Sequence, residues 1–175
     1  VFPVLLDEMR HLRDYEYLCN EQLASKLKSL LLEKKLRDYL KEPFIYEKHI
    51  LDVIKRLNEN KTMQHLWGWW QGTAEEPWIS LHVVEALLMA EAQGYKIQIN
   101  KDILYRYLLG KVADAGVHAD LNMIRLLQAL DRNHSIKDWV KLKETDSVYK
   151  KRQKSLYEWM QMAQLKQIAG IPVTM

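Results

Sequence analysis

The sequence predicts an all-α fold, and three observations predict it. Apolar residues recur at three- and four-residue steps along nearly the whole chain, the repeat of an amphipathic helix. Strand signals are almost absent, because the one alternating stretch, Ile97-Gln98-Ile99, is too short to count. Proline and glycine stand where helices begin or end: Pro43, Pro77 and Gly94. At 175 residues the natural expectation is a single domain spanning 1–175 with a sizeable core.

The first helix is expected from about Asn20 to Tyr39. Leu23, Leu27, Leu30 and Leu31 form its apolar stripe, Asn20 serves as N-cap, and Lys34, Lys35 and Arg37 complement the dipole in its last turns. Pro43 stops the segment, and a second helix follows from about Phe44 to Asn58, carried by Ile50, Val53, Ile54 and Leu57. An aromatic loop, Leu66 to Glu76, contains Trp67, Trp69 and Trp70. Pro77 restarts the helix at its permitted first-turn position. The segment from Trp78 to about Gln93 is apolar on several sides and should be buried, with Gly94 ending it. Asn100 caps a fourth helix to about Ala113, and a fifth runs from about Ala119 to Leu130. Ser135 caps a sixth around Trp139, and a seventh, longer and more polar, runs from Ser147 to Ile168. Short connections between helices predict antiparallel neighbours, and the recurrence of helix pairs suggests an α/α toroid or solenoid. No linker or low-complexity segment interrupts the chain.

Bulk composition narrows the function. Hydrophobic residues make up 48% and charged residues 28%, ordinary values for a globular domain. A net charge of +3 is too small to argue for a nucleic-acid partner. The basic run Lys150-Lys151-Arg152-Gln153-Lys154 reads as a solvated helix face. No apolar run is long enough to cross a bilayer. The start, Val1-Phe2-Pro3-Val4-Leu5-Leu6, has neither an initiator methionine nor a basic leader, so the chain reads as a piece of something longer. No His pair with a carboxylate at helical spacing suggests zinc, and no cofactor is expected.

The single cysteine excludes an internal disulfide framework and directs attention to its own surroundings. Cys19 opens Cys19-Asn20-Glu21-Gln22 at a helix start. A thiol and a carboxamide three residues apart can close into an internal thioester: sulfur attacks the side-chain carbonyl and expels ammonia. The bond must then be kept from water, which aromatic walls can do, and the thiol must be nucleophilic, which a helix N-terminus favours. Tyr15, Tyr17 and the tryptophan loop are the candidate walls. Otherwise, Cys19 is a small buried hydrophobe and Glu21-Gln22 an ordinary first turn.

This segment, Tyr15 to Leu27, resembles the Cys-x-Glu-Gln thioester segment of the α2-macroglobulin and complement family, with the look of its bacterial members. The loop Leu66 to Gly72 followed by Pro77-Trp78-Ile79-Ser80-Leu81-His82 is similar to that family's aromatic-glycine loop and Trp-led helix. Ala119 to Leu130 resembles a later inner-ring helix. The likeness covers about Tyr15 to Leu130, and Leu18 stands where the family usually has glycine.

The resemblance implies the N-terminal part of a thioester-containing α/α toroid of the terpenoid-cyclase-like kind, little more than half of one. It implies a broad-spectrum protease inhibitor of the cell envelope or periplasm, not an enzyme. In that scheme Cys19 is the leaving thiol and Gln22 the acyl donor, while Tyr15, Tyr17, Trp69, Trp70 and Trp78 shield the bond. His134, in an interhelical loop, is the candidate acyl-transfer histidine, and His118 lies in another loop. Target proteases and other domains of the same protein are the implied partners. A half-toroid would expose apolar surface and would dimerise or meet missing partners. Two alternatives stand beside this: an α/α-toroid carbohydrate enzyme or sugar-binding module using the tryptophans, and a helical interaction scaffold. Glu75 and Glu76, beside the tryptophans, read as an acidic helix start and not as a pair of catalytic carboxylates.

Overall fold

The computed structural model of the protein describes residues 18–131 and 135–173, and every regular element among them is helical. The elements are α1 (Asn20–Leu40), α2 (Glu47–Asn60), α3 (Pro77–Ala92), α4 (Lys101–Ala115), a 3₁₀ turn (Gly116–His118), α5 (Leu121–Leu130), α6 (Lys137–Thr145), α7 (Ser147–Lys151) and α8 (Leu156–Ile168). The all-α expectation is met, and the described residues form no strand. Two compact units divide between Asn100 and Lys101.

In the first unit, α1 packs against both α2 and α3. That double contact explains why α1 is buried on more than the one stripe its leucines mark: Lys26, Ser29 and Glu33 are buried together with Leu23, Leu27, Leu30 and Leu31. Each fully buried leucine contributes about 1.5–3 kcal/mol relative to exposure. Arg37 lies 2.8 Å from Glu33 one turn away, which compensates the carboxylate that this packing takes from water. Helix α3 is buried along Ile79, Leu81, Val83, Val84, Ala86 and Leu87, as an all-round apolar helix should be, with Pro77 in its first turn. Beyond it, Gly94 takes a left-handed φ of 89°.

A polar junction ties the ends of these helices. Lys34 Nζ donates to the Tyr95 hydroxyl at 2.6 Å, and that hydroxyl donates to Glu47 Oε1 at 2.7 Å. The Tyr95 bond, aided by Glu47, holds the Lys34 ammonium above the usual lysine range despite burial. Burial pulls the Glu47 carboxyl upward, but the bonds from Tyr95 and Lys34 outweigh it and leave it below the usual range. The junction sits at the start of α2, which begins at Glu47 and not at Phe44 as expected. Phe44 instead packs edge-on against Tyr46, the residue before the helix.

In the second unit, α4 packs on α5, α8 contacts α5 and α6, and α6 also meets the 3₁₀ turn and α7. The expected long helix from Ser147 to Ile168 is two helices. Ser155 accepts from the Glu158 backbone N–H, and the Glu158 carboxylate accepts from the Ser155 N–H, a capping box that starts α8 anew. Asp146 caps α7 through the Tyr149 N–H at 2.6 Å. The basic run is therefore not one helix face. Lys150 and Lys151 end α7, Arg152 pairs with Glu158, and Lys154 lies over the Tyr149 ring. Ser135 is not the cap of α6 either; Ile136 holds that position, with no side-chain cap bond.

Glycine positions give a stability test for each unit. A Cβ on Gly68 would lie 2.0 Å from the Ala74 carbonyl oxygen, whereas one on Gly110, inside α4, would meet nothing within 4 Å. Thermal melts should therefore separate two alanine variants. Gly68→Ala should lose ~3 kcal/mol or more through backbone displacement, and Gly110→Ala should gain about 0.5–1 kcal/mol from helix propensity. Equal melting temperatures would refute the packing described for the tryptophan loop.

Candidate functional site

The candidate site is the N-terminus of α1. The first helical residue is Asn20, and the N-cap is Cys19, with extended backbone (φ −69°, ψ 171°), so the expected Asn20 cap is corrected by one residue. Cys19 and Gln22 form a reciprocal capping box: the Cys19 side chain faces the Gln22 backbone N–H, and the Gln22 Oε1 accepts from the Cys19 N–H at 3.1 Å. The thiol and the carboxamide three residues on are thereby turned toward the same helix end. Cys19 is 5% exposed, Leu18 is buried beside it, and Gln22 is half-buried.

Asn20 has a different task from the one its sequence position suggests. Its side chain is fully buried; Nδ2 donates to the Gly68 carbonyl at 3.0 Å and Oδ1 accepts from Asn60 Nδ2 at 2.7 Å. Its backbone N–H donates to the Trp69 carbonyl at 2.9 Å. One residue thus joins the start of α1, the end of α2 and the tryptophan loop. Gly68 is required where the loop doubles back on Ala74.

The four tryptophans of this region divide by role. Trp67 is fully buried, its indole N–H donating to the Leu57 carbonyl at 2.8 Å. The Ser80 hydroxyl accepts from the Trp67 N–H and donates to the Trp67 carbonyl, both at 2.9 Å, so α3 holds the loop at its centre. Trp69 and Trp70 are about half exposed, and the Trp69 ring stands edge-on to Trp78 at 5.3 Å between centroids. The structure thus brings Trp69 to the α1 start through its backbone and pairs it with Trp78. Trp70 is tied within the loop to Thr73. Tyr15, Tyr17 and His134 lie outside the described residues. His118 is an exposed residue of the 3₁₀ turn in the second unit.

A chain of polar side chains runs one turn further along α1, and sequence patterning gave no hint of it. Lys28 Nζ lies 3.0 Å from His82 Nδ1 and 3.0 Å from Glu85 Oε2. His82 Nε2 lies 3.0 Å from Ser25 Oγ, whose hydroxyl donates to Glu21 Oε1 at 3.1 Å. A lysine ammonium can only donate, so Nδ1 accepts and the imidazole proton sits on Nε2, directed at Ser25. With its proton on Nε2, His82 cannot act as base toward Ser25, whose hydroxyl is held on the Glu21 carboxylate instead. The chain instead orients Glu21, which lies between Cys19 and Gln22 in sequence. The five residues come from α1 and α3, which are distant in sequence, so periodicity could not join them. Among the described residues no group of three His, Cys, Asp or Glu side chains could hold a metal ion, and no helix is long and apolar enough to cross a membrane.

Burial and the neighbouring Lys28 ammonium hold the His82 imidazole below its usual value of 6.5, against the opposite pull of Glu21 and Glu85. The folded state therefore prefers neutral His82. Its contribution is complete above the unfolded value and is lost as pH falls through the depressed folded one. Melting temperature should fall on acidification from neutral pH, and His82→Gln should flatten that fall; an unchanged pH profile would refute the neutral, Lys28-bonded imidazole. Asn20→Ala should cost about 1–3 kcal/mol, because the Gly68 carbonyl loses its buried partner.

Compared with models of protein families, with curated proteins and with solved structures, the chain finds no match in any of the three.

Proposed function

We propose that this chain is the thioester-bearing segment of an α2-macroglobulin-like protease trap, with Cys19 and Gln22 as the bonded pair. The observation that carries the reading is the capping box, in which Gln22 Oε1 accepts from the Cys19 N–H at 3.1 Å while the Cys19 side chain occupies the same helix end. Attack of the Cys19 sulfur on Gln22 Cδ forms the S–C bond. It breaks the C–N bond and transfers the thiol proton to the departing ammonia. Negative charge develops on Oε1 during that attack, and the Cys19 N–H already donates to this atom, as an oxyanion hole does. Capture of a protease then reverses the polarity of use: a lysine amine of the target attacks the thioester carbonyl, an amide forms, and Cys19 leaves as thiol.

The burial of Cys19 supports a bond kept from water before use, and Trp69 with Trp78 supplies aromatic surface at that end of the helix. By resemblance, the helices belong to a partial α/α toroid of antiparallel pairs, and the setting is the bacterial envelope or periplasm. Tyr15, Tyr17, Trp70 and His134 keep the roles the resemblance implies. A second reading, a sugar-binding module, draws support from the half-exposed rings of Trp69 and Trp70, which could stack on a pyranose.

Peptide mass mapping around Cys19, with thiol alkylation under denaturing conditions before and after methylamine, tests the proposal. The expected result is a peptide one ammonia lighter, whose Cys19 resists alkylation until methylamine releases it. Gln22 converted to Glu beside a free Cys19 would mark a bond formed and then hydrolysed. A free Cys19 beside an unchanged Gln22 would refute thioester formation in this chain. Quenching of tryptophan fluorescence by oligosaccharides, lost in Trp69→Ala, would then favour the sugar-binding reading.

A further inference from the structure

The second unit contains a cavity of about 450 Å³, bounded by the 3₁₀ turn and by residues of α5, α6, α7 and α8. That volume is at the lower end of the roughly 300–1,000 Å³ usual for small-molecule sites. Its apolar walls include Val117, Leu121 and Val148, and its polar walls include Lys143 and Tyr149.

Lys143 is the informative group. It is 4% exposed, and its Nζ donates to the Val117 carbonyl at 2.6 Å, one acceptor for three donors. The Tyr149 ring lies 5.2 Å from the ammonium. No carboxylate comes within ion-pair distance of it among the described residues. The other buried lysine of this unit, Lys166, meets Glu144 at 2.8 Å. A buried cation without a paired anion is costly. The carboxylates around the cavity are already engaged: Asp120 accepts from the Asn122 N–H, Asp146 from the Tyr149 N–H, and Glu158 holds Arg152 and the start of α8. The Tyr149 hydroxyl is buried and has no hydrogen-bond partner among the described residues. Lys143, with one acceptor for three donors, and the unpartnered Tyr149 hydroxyl thus belong to residues that line the same cavity, beside carboxylates that are each tied to a backbone N–H or to Arg152.

We propose that this cavity binds a small organic carboxylate, with Lys143 as its counter-ion, the Tyr149 hydroxyl as second donor, and its apolar body against Val117, Leu121 and Val148. The site belongs to the second unit and is independent of the thioester reading. Burial, aided by Arg152 and partly offset by Asp120, Glu158 and Asp146, holds the Lys143 ammonium below the usual lysine range, a cost that a bound anion relieves. Burial and the Glu158 carboxylate hold the Tyr149 hydroxyl above its usual range, so it remains a donor.

The test titrates the whole chain with 3-phenylpropionate and with its uncharged amide, followed by calorimetry and by amide chemical shifts. The acid should bind about tenfold or more tighter than the amide, the ratio a charge-assisted hydrogen bond confers. Lys143→Met should weaken the acid by a similar factor while leaving the amide unchanged; replacing a buried charge by an apolar side chain of similar length is often neutral for folding. Tyr149→Phe, which removes only the hydroxyl, should weaken the acid several-fold, and it carries the test with the acid–amide ratio if Lys143→Met does not fold. Equal binding of acid and amide, no binding of either, or full acid affinity in a folded Lys143→Met or in Tyr149→Phe would each overturn the proposal.

Discussion

The buried carboxamide of Asn20 is the constraint on which the first unit depends. A fully buried amide must find partners for both ends, since an unpaired one costs about 1–3 kcal/mol. Asn20 finds them in Gly68 and Asn60, and its backbone adds Trp69. Those bonds place the tryptophan loop on the start of α1 and close the end of α2 against it. The Gly68 backbone follows from the same demand, because the loop runs so near Ala74 that no side chain fits. Trp67 then fills the centre, with Ser80 and Leu57 satisfying its polar atoms.

With Asn20 held inward, Cys19 becomes the cap and Gln22 folds back to it. The geometry that stabilises the helix also turns the Gln22 carbonyl and the Cys19 side chain toward one helix end, and these are the two groups the proposed thioester joins. The Lys28–His82–Ser25–Glu21 chain reinforces this end from the α3 side. It is a positioning arrangement: the Lys28 donor fixes the imidazole tautomer, and the tautomer fixes the Ser25 hydroxyl on Glu21.

The second unit solves its polar problems through helix starts. Asp120, Asp146 and Ser155 each cap a helix within a short stretch of chain, so three helix ends and their carboxylates converge around one cavity. That convergence occupies the acids with backbone N–H groups. It leaves Lys143 buried without an ion-pair partner among the described residues, the feature from which the proposed carboxylate site is argued.

The sequence by itself determined the helical class and the approximate span of most helices, because those depend on local periodicity, on Pro77 in a first turn and on Gly94 past a last one. It also marked the pair Cys19 and Gln22, since a three-residue spacing is a local relation that a helix start converts directly into proximity. It misplaced the cap by one residue, because Asn20 is an excellent cap by type but is drawn inward by Gly68 and Asn60, far away in sequence. The break between α7 and α8 was legible as Ser155-x-x-Glu158 but was overridden by the longer polar pattern around it. Only the tertiary structure decided the rest: Trp67, and not Trp69 or Trp70, as the buried tryptophan of the loop; the His82 chain; and the burial of Lys143 without an ion pair among the described residues. Each of these depends on side chains from different helices meeting, and hydrogen-bond partners chosen across space leave no period in a sequence.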